Sequence, residues 1–420
     1  MNNDLISKIV ESHKIFSNVS LLAKQTPTQQ MKKIEKGNIN SLLKIRSYTN
    51  DLFPFPKRIY QSNFLLLACL FILFGLSSCN KFFKHKEVKP ALIIYPSPPD
   101  QARFQYLTKF TSSLDIEKEE SVFSKMVLGN SRPKGMVKPY GIAIKKGKIY
   151  VCDNYAGGLE VIDLEKRKFD YFAPAGKGLL RTPLNCFLDE KDYLYVADAG
   201  RMQVVVFDEN GNYVKSLGEK EKFKPSDVNV YENKIFVANS ANSKVYVYSN
   251  DSISKLLYTI PREDDPEAVH LCMPTNIAIS DGKVYAADFG CSKVKIYSTD
   301  GKFIDTLGSL GDAPGTFAKL KGIAVDKEAN ILCVDAAFEN VQVFNKDKQF
   351  LMDFGGHFQG NGGLYLPAKI IIDYDNLKYF QKYVDPSFDL KYLIFVTSQY
   401  GPNLINVYGR VEPKVITPIK

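Results

Sequence analysis

Histidine, tryptophan and paired cysteines are scarce or absent in this chain of 420 residues. It contains four His, no Trp and seven Cys, and no two of the cysteines form a Cys-x-x-Cys pair. These absences exclude zinc ribbons, thioredoxin-like redox sites and c-type haem attachment. No Gly-x-Ser-x-Gly segment occurs, which argues against the nucleophile elbow of α/β-hydrolases. With 45% hydrophobic and 24% charged residues, the composition is that of a globular protein long enough to bury its own core.

Long hydrophobic runs are also scarce, and the clearest one, Phe64–Leu76, has thirteen residues. A bilayer-spanning helix needs about 20 residues, so this length is more typical of a secretory signal. The motif that follows, Leu76-Ser77-Ser78-Cys79, resembles the lipobox of bacterial lipoproteins. We therefore expect residues 1–78 to be an N-terminal extension and signal peptide, cleaved between Ser78 and Cys79, with Cys79 lipidated (palmitate); the alternative is an uncleaved signal anchor. Asn80 resembles the signal for sorting to the outer membrane.

The basic charge of the chain is concentrated in this leader. Ten basic and four acidic residues precede Cys79, so 45 basic and 42 acidic residues remain, and the net charge falls from +9 to +3. Basic residues before an apolar segment favour export with that end in the cytoplasm. A nearly balanced mature chain gives no electrostatic argument for a nucleic-acid partner. The sequence predicts an exported protein, anchored to a bacterial membrane on its periplasmic or surface face.

Six related segments fill residues 138–410 and start near 139, 183, 225, 274, 320 and 367. Each begins with an apolar strand and continues with a second strand that ends in Asp, Asn or Thr. A third strand and an Asx-Gly-type turn into a fourth follow in most of them, as at Asp300-Gly301. Six units of four antiparallel strands predict an all-β fold, a six-bladed β-propeller.

The sixth unit lacks a fourth strand, and an N-terminal segment has the pattern to replace it. Residues 103–110 show the alternation of side chains that the missing strand should have. We therefore expect them to pair with the sixth blade and close the ring. The rest of residues 102–137 is assigned to a loop and a short helix near 114–129. Residues 79–101 are predicted to form a Pro-rich spacer and residues 411–420 a C-terminal tail.

The repeats resemble the NHL family. The segment Gly308–Phe317 leading into Gly322–Asp326 is close to the Gly-rich linker and first strand of that family. The resemblance implies a six-bladed propeller and extends to bacterial NHL lipoproteins that act in the envelope. It also suggests, as a speculation, an association with multihaem cytochrome export systems. Propellers of this type host many functions, so the resemblance is specific for the fold alone.

Polar residues recur at two positions near the predicted channel. The second strands end in polar residues, for which we expect a structural role, because Asx side chains readily accept backbone N–H bonds in turns; they are Asp153, Asp198, Asn239, Asp288, Asp335 and Thr397. Two residues beyond the start of three consecutive blades lie Asn185, Asp227 and Asn276, a candidate set of Ca²⁺ ligands at the channel mouth.

A metal-dependent hydrolase is the alternative function that this set supports. The six-bladed lactonases that this chain resembles in fold typically carry Asn directly after the first-strand Pro. None of the equivalent residues here is Asn; they are Tyr140, Leu184, Ser226, Thr275, Lys321 and Ala368. Propeller lyases related to NHL proteins depend on several His, whereas only His270 and His357 lie in these repeats. Catalysis is therefore the minority interpretation.

Five cysteines belong to the predicted propeller. Cys152, Cys186 and Cys333 lie in apolar strands, where we expect them to be buried. Cys272 precedes the first strand of blade 4 and Cys291 follows its second strand, which places both on one face of one blade. In an exported protein such a pair can be oxidised to a disulfide; the alternative is that both remain free thiols.

Aromatic residues are frequent in the loops that follow the second strands, at Tyr155, Phe289, Phe338 and Tyr400. Exposed aromatic side chains beside polar groups suit recognition of a protein or a carbohydrate. We therefore predict a non-catalytic, lipid-anchored binding or scaffolding module without a cofactor, whose partner is an envelope protein or surface ligand.

Overall fold

Six antiparallel sheets make up the part of the chain that this computed structural model describes, residues 91–117, 132–218, 222–264 and 269–414. The signal peptide, the cleavage site at Ser78 and Cys79, the first part of the spacer and most of the helix expected near 114–129 lie outside these residues. Helical structure in the described ranges is limited to short 3₁₀ turns, and none of it could cross a membrane. The turns are Ser113–Asp115, Gly176–Gly178, Leu377–Tyr379 and Gln381–Tyr383.

Blades 1 to 3 each contain four consecutive strands, and the first strand of each lies innermost. The strands of blade 1 are β3 (Pro139–Lys145), β4 (Lys148–Asp153), β5 (Gly158–Asp163) and β6 (Lys168–Phe172). Those of blade 2 are β7 (Pro183–Leu188), β8 (Leu194–Asp198), β9 (Gln203–Phe207) and β10 (Tyr213–Leu217). Those of blade 3 are β11 (Pro225–Tyr231), β12 (Lys234–Asn239), β13 (Lys244–Ser249) and β14 (Leu256–Ile260).

Blades 4 and 5 repeat this order, and blade 6 departs from it. Blade 4 contains β15 (Pro274–Ser280), β16 (Lys283–Asp288), β17 (Lys293–Ser298) and β18 (Phe303–Leu307). Blade 5 contains β19 (Leu320–Val325), β20 (Ile331–Asp335), β21 (Asn340–Phe344) and β22 (Phe350–Gly355). Blade 6 contains β23 (Pro367–Asp373), β24 (Phe388–Ser398) and β25 (Ile405–Pro413), followed outward by β2 (Phe104–Phe110) and β1 (Ile94–Tyr95).

The predicted six-bladed propeller is confirmed, including the way in which it closes. Strand β2 pairs antiparallel with β25, with Phe104 opposite Arg410 and Phe110 opposite Ile405. The N-terminal segment therefore supplies the outer strand that the sixth repeat lacks. First strands of adjacent blades contact one another around the ring, and β23 of blade 6 contacts β3 of blade 1.

The two ends of the described propeller extend further than the sequence indicates. Within the predicted spacer, Ile94 and Tyr95 form β1, which adds a fifth strand outside β2. The Tyr95 ring lies 6.0 Å from the Phe354 ring, so aromatic packing against blade 5 accompanies this pairing. At the other end, β25 continues to Pro413, opposite Phe388, three residues into the predicted tail.

The core lies between the faces of neighbouring blades, where the apolar positions of the strands pack together. Phe207 of blade 2 is fully buried, and its ring meets the Phe172 ring of blade 1 at 5.0 Å. Cys152, Cys186 and Cys333 are buried in such layers as free thiols. Each blade packs one of its two faces against each neighbouring blade. The closed ring therefore depends on every blade being complete.

Candidate functional site

The residues that end the second strands hold the start of each first strand in place. Asp153 accepts backbone N–H bonds from Val137 at 2.6 Å and Lys138 at 2.9 Å. Its counterparts Asp198, Asn239, Asp288 and Asp335 bind the corresponding backbone in the same way. In blade 6 the prediction was wrong by one residue, because β24 ends at Ser398, which accepts the Tyr365 N–H at 3.1 Å, whereas Thr397 accepts the Lys369 N–H. All of these side chains are buried. Their oxygens are therefore engaged by the backbone, as expected for a structural role.

Blade 1 buries a second carboxyl group, that of Glu160 on β5, beside Asp153. Within the described ranges, neither oxygen of Glu160 accepts a hydrogen bond from an N–H or O–H donor. Burial, together with the nearby Asp153 charge, raises the pKa of Glu160 to about 9. The group is therefore protonated at neutral pH in the folded protein. Sequence analysis missed it because a single acid in a strand does not reveal its burial.

The channel is crossed by an ion pair between opposite blades. Asp227 and Lys369 occupy equivalent positions in β11 of blade 3 and β23 of blade 6, which face each other in a ring of six. The Lys369 Nζ lies 2.5 Å from the Asp227 Oδ2, and the two side chains are 7% and 0% exposed. Asp227 also accepts N–H bonds from Val228 and Ile277, each at 2.9 Å. We call this level of the channel the plug.

The remaining four positions of the plug fit around this pair. Asn185 and Asn276, on the blades beside Asp227, are hydrogen-bonded to each other from Asn185 Nδ2 to Asn276 Oδ1 at 3.2 Å. Gly141 and Gly322 lie on the blades beside Lys369. A Cβ atom on Gly141 would come within 2.4 Å of the Asn185 Cα atom. Glycine at this position therefore allows the first strands to approach each other closely.

The three predicted Ca²⁺ ligands lie together, but their oxygens do not fit a bound cation. The Asp227 carboxylate is paired with the Lys369 ammonium, and the Asn276 oxygen accepts the Asn185 amide. Among the three side chains, only the Asn185 oxygen has no hydrogen-bond partner in the described structure. Ca²⁺ requires six to eight oxygen ligands, and the ammonium already holds the place that a cation would take. The pairing of Lys369 with Asp227 is not among the sequence-based predictions.

Below the plug, the channel becomes an apolar cavity of about 210 Å³. The later residues of all six first strands line it, and among them only Asn229 and Lys369 carry polar side chains. Apolar side chains such as Ile144, Leu188 and Ile279 offer neither a proton acceptor nor a nucleophile. The lining of this half of the channel is therefore mostly apolar, and the Cys186 thiol and the Lys369 amine lie among these side chains.

Above the plug, at the face where the first strands begin, the channel mouth is basic and aromatic. The Tyr140 phenol is buried beside Asp227 and Asn276, and this burial raises its pKa. The Lys321 Nζ lies over the Tyr140 ring, 5.5 Å from its centroid. At the rim, the Lys138 Nζ lies 5.1 Å from the centroid of the Tyr400 ring. Burial, together with neighbouring Lys138 and Lys319, lowers the pKa of Lys321 to about 8.

The other candidate residues are dispersed around the ring. His270 lies in the linker before blade 4 and His357 in the linker before blade 6, where it pairs with Glu339. Among the four loop aromatics, Tyr155 and Tyr400 are exposed, whereas Phe289 and Phe338 are half-buried. The two histidines thus lie in different linkers, before blades 4 and 6, and His357 has an acidic partner.

Cys272 and Cys291 are joined as a disulfide, with their Cα atoms 5.7 Å apart. The Lys295 Nζ lies 3.7 Å from the Cys291 sulfur and 2.9 Å from the Asp288 Oδ2. These sulfurs and the Asp288 carboxylate also form the one cluster of three metal-ligating groups found in the described residues. The disulfide bond and the Lys295 ammonium occupy the atoms that a metal would need.

Comparison with known proteins supports the fold. Residues 266–413, which span blades 4 to 6, match a family model described as a 6-bladed beta-propeller. No curated protein sequence matches the chain.

Solved structures are similar at low identity. A structural genomics protein of unknown function from Bacteroides thetaiotaomicron has a TM-score of 0.52 at 14% identity, covering 74% of this chain and 77% of that one. The gluconolactonase XC5397 from Xanthomonas campestris has a TM-score of 0.47 at 15% identity, covering 74% and 98%. Virginiamycin B lyase from Staphylococcus aureus has a TM-score of 0.44 at 11% identity, covering 67% and 86%. At these identities the likeness concerns the fold alone.

A double-mutant cycle tests the plug. Asp227→Asn or Lys369→Met alone leaves one buried charge without its partner, which we expect to cost about 3–5 kcal/mol of unfolding free energy. The double variant should cost less than the sum by about 1 kcal/mol or more. The same cycle on the half-exposed pair Lys391–Glu412, at 3.0 Å, should show a coupling below about 1 kcal/mol. Denaturant unfolding measures both cycles, and additive effects at Asp227 and Lys369 would contradict the buried pair.

Glu160→Gln tests the protonated carboxyl in blade 1. The unfolded pKa is about 4.3 and the folded pKa about 9, so folding takes up a proton between these values and stability falls as pH rises through that window. Gln cannot ionise and can donate to Asp153. We expect the variant to gain stability over the wild type progressively from pH 5 to pH 9, whereas exposed Glu209→Gln should not. A gain that is the same in denaturant unfolding at both ends of this range would show that Glu160 is ionised.

Proposed function

We propose that this protein is a lipid-anchored envelope propeller that binds a partner without catalysing a reaction. The observation that carries the proposal is the plug. A metal-dependent reaction at the mouth would need the Asp227 carboxylate as a ligand, and this carboxylate is paired with Lys369. Below the plug the channel is apolar, and above it the mouth presents lysine and tyrosine side chains. Such a surface suits recognition.

The anchor part of the proposal comes from the sequence. The motif Leu76-Ser77-Ser78-Cys79 resembles a lipobox, and several acyl chains on Cys79 would hold the protein stably at a membrane. The resemblance of the repeats to bacterial NHL lipoproteins supports the same role. Strand β1, which begins at Ile94, follows Cys79 closely in the sequence. The lipid would therefore tether the propeller to the membrane.

Acyl labelling tests the anchor. Full-length chain expressed in a bacterium with an outer membrane and fed labelled palmitate should incorporate label and fractionate with membranes. Cys79→Ser should lose the label, because the acylated sulfur is gone. Cys69→Ser, a control within the apolar run, should keep it. Label that persists in Cys79→Ser, or is absent from the wild type, would contradict lipidation at Cys79.

Two measurements separate a binding module from a hydrolase. Affinity capture of the anchored protein from its native envelope, followed by mass spectrometry, should recover a reproducible partner that Cys79→Ser does not enrich. Incubation with gluconolactone, with and without added Ca²⁺, should show no turnover above that of Asp227→Asn. Lactone turnover that Asp227→Asn abolishes, with no partner recovered, would replace the binding module with a hydrolase.

A further inference from the structure

The channel mouth gathers three lysines that have no ion-pair partner within the described ranges. Lys138 directly precedes β3 of blade 1, Lys319 directly precedes β19 of blade 5, and Lys321 is the second residue of β19. With the tyrosines over which two of them lie, Tyr140 and Tyr400, they form what we call the mouth cluster. Elsewhere in the described propeller, exposed lysines often pair with acids, as Lys134 does with Asp170 at 3.2 Å. The mouth cluster thus concentrates positive charge.

The cluster is held in place by the fold beneath it. Lys321 belongs to blade 5, but its ammonium lies over the Tyr140 ring of blade 1. It reaches across the sector of blade 6, where the equivalent residue is the small, fully buried Ala368. The Lys321 carbonyl is fixed by hydrogen bonds from Asn276 at 2.9 Å and Thr275 at 3.0 Å. An ordered ammonium loses less entropy when it binds an anion.

The carboxylates at the starts of blades 1 and 5 and at the axis are engaged by other groups. Asp153 and Asp335 are buried and accept backbone N–H bonds at the starts of blades 1 and 5. Asp227, at the axis, is paired with Lys369. The lowered pKa of Lys321 shows that burial and its lysine neighbours disfavour its charge, which a bound anion would relieve.

We propose that the mouth cluster binds carboxylate side chains on an acidic peptide segment of a partner protein. This inference rests on the proposed binding function and names the partner's chemistry. A peptide is favoured over an acidic sugar because lysines already cover a face of both tyrosine rings, at 5.1 Å and 5.5 Å, so those faces cannot stack on a sugar ring. Several carboxylates on one flexible chain can reach three ammonium groups together.

Fluorescence anisotropy with a labelled hexaglutamate peptide tests the proposal on the full-length, detergent-solubilised chain. The wild type should bind it at about 0.1 M salt, where contacts within about 10 Å still act, and should not bind hexaglutamine. The triple variant Lys138→Gln, Lys319→Gln, Lys321→Gln should bind about tenfold or more weakly, since three ion contacts are lost. Lys321→Arg should retain binding, because the cation remains.

The matched control removes three exposed lysines from the hairpins at the opposite face, as Lys148→Gln, Lys191→Gln, Lys346→Gln. It has the same net charge as the mouth variant and should bind hexaglutamate like the wild type. Thermal melts of both variants should match the wild type, so that lost binding reports the lost charges. Equal weakening in both variants would mean that net charge alone attracts the peptide, and the proposal would fall.

Two further outcomes would overturn the inference while leaving the proposed function intact. If envelope capture recovers a partner but the wild type does not bind hexaglutamate, the mouth is not an acidic-peptide site. If a hexamer of galacturonate binds and hexaglutamate does not, the ligand is a carbohydrate. The proposed function fails separately, when capture recovers nothing and lactone is hydrolysed.

Discussion

The ion pair between Asp227 and Lys369 determines what the propeller channel can do. Two charges buried from water must be paired, because an isolated one costs several kcal/mol. Here the partners come from opposite blades, so the pair crosses the channel at the level of the third residue in each first strand. Gly141 and Gly322 leave space beside the lysine, and Asn185 and Asn276 bind each other beside the aspartate.

This closure divides the axis into two environments. The lower half is a cavity lined mostly by apolar side chains of the first strands. The upper half is a shallow mouth whose lysines are ordered over tyrosine rings. The strand-end residues such as Asp153 belong to neither environment, because the backbone of the first strands uses their oxygens. The proposed recognition site is therefore the mouth, whose lysine and tyrosine side chains lie above the plug.

The sequence was sufficient to predict the fold because its signals are local and repeated. Alternating strands, Asx-Gly turns and a recurring strand-end Asx mark the blades. The sixth repeat lacks a fourth strand, which explains the role of Phe104–Phe110 in closing the ring. The equivalent positions of Asn185, Asp227 and Asn276 in consecutive repeats also predicted that they lie at one level of the channel. They did not indicate that Asp227 pairs with Lys369, although both stand at the same position of blades 3 and 6.

What sequence reasoning missed depends on distances across the ring and on burial. A ring of six places blade 3 opposite blade 6, but only the structure shows that a lysine side chain is long enough to bridge the axis. Nothing in the sequence pattern distinguishes Glu160 from other polar residues of the strands. Its burial beside Asp153 results from the packing of the blades. Strand β1 was hidden in a Pro-rich segment because two residues carry too little alternation to signal a strand.

A crystal structure of the protein soaked in millimolar Ca²⁺ tests the closed channel most directly. The account predicts that Lys369 Nζ remains within hydrogen-bond distance of Asp227 and that no ion binds there. A Ca²⁺ ion coordinated by Asn185, Asp227 and Asn276, with Lys369 displaced, would contradict it.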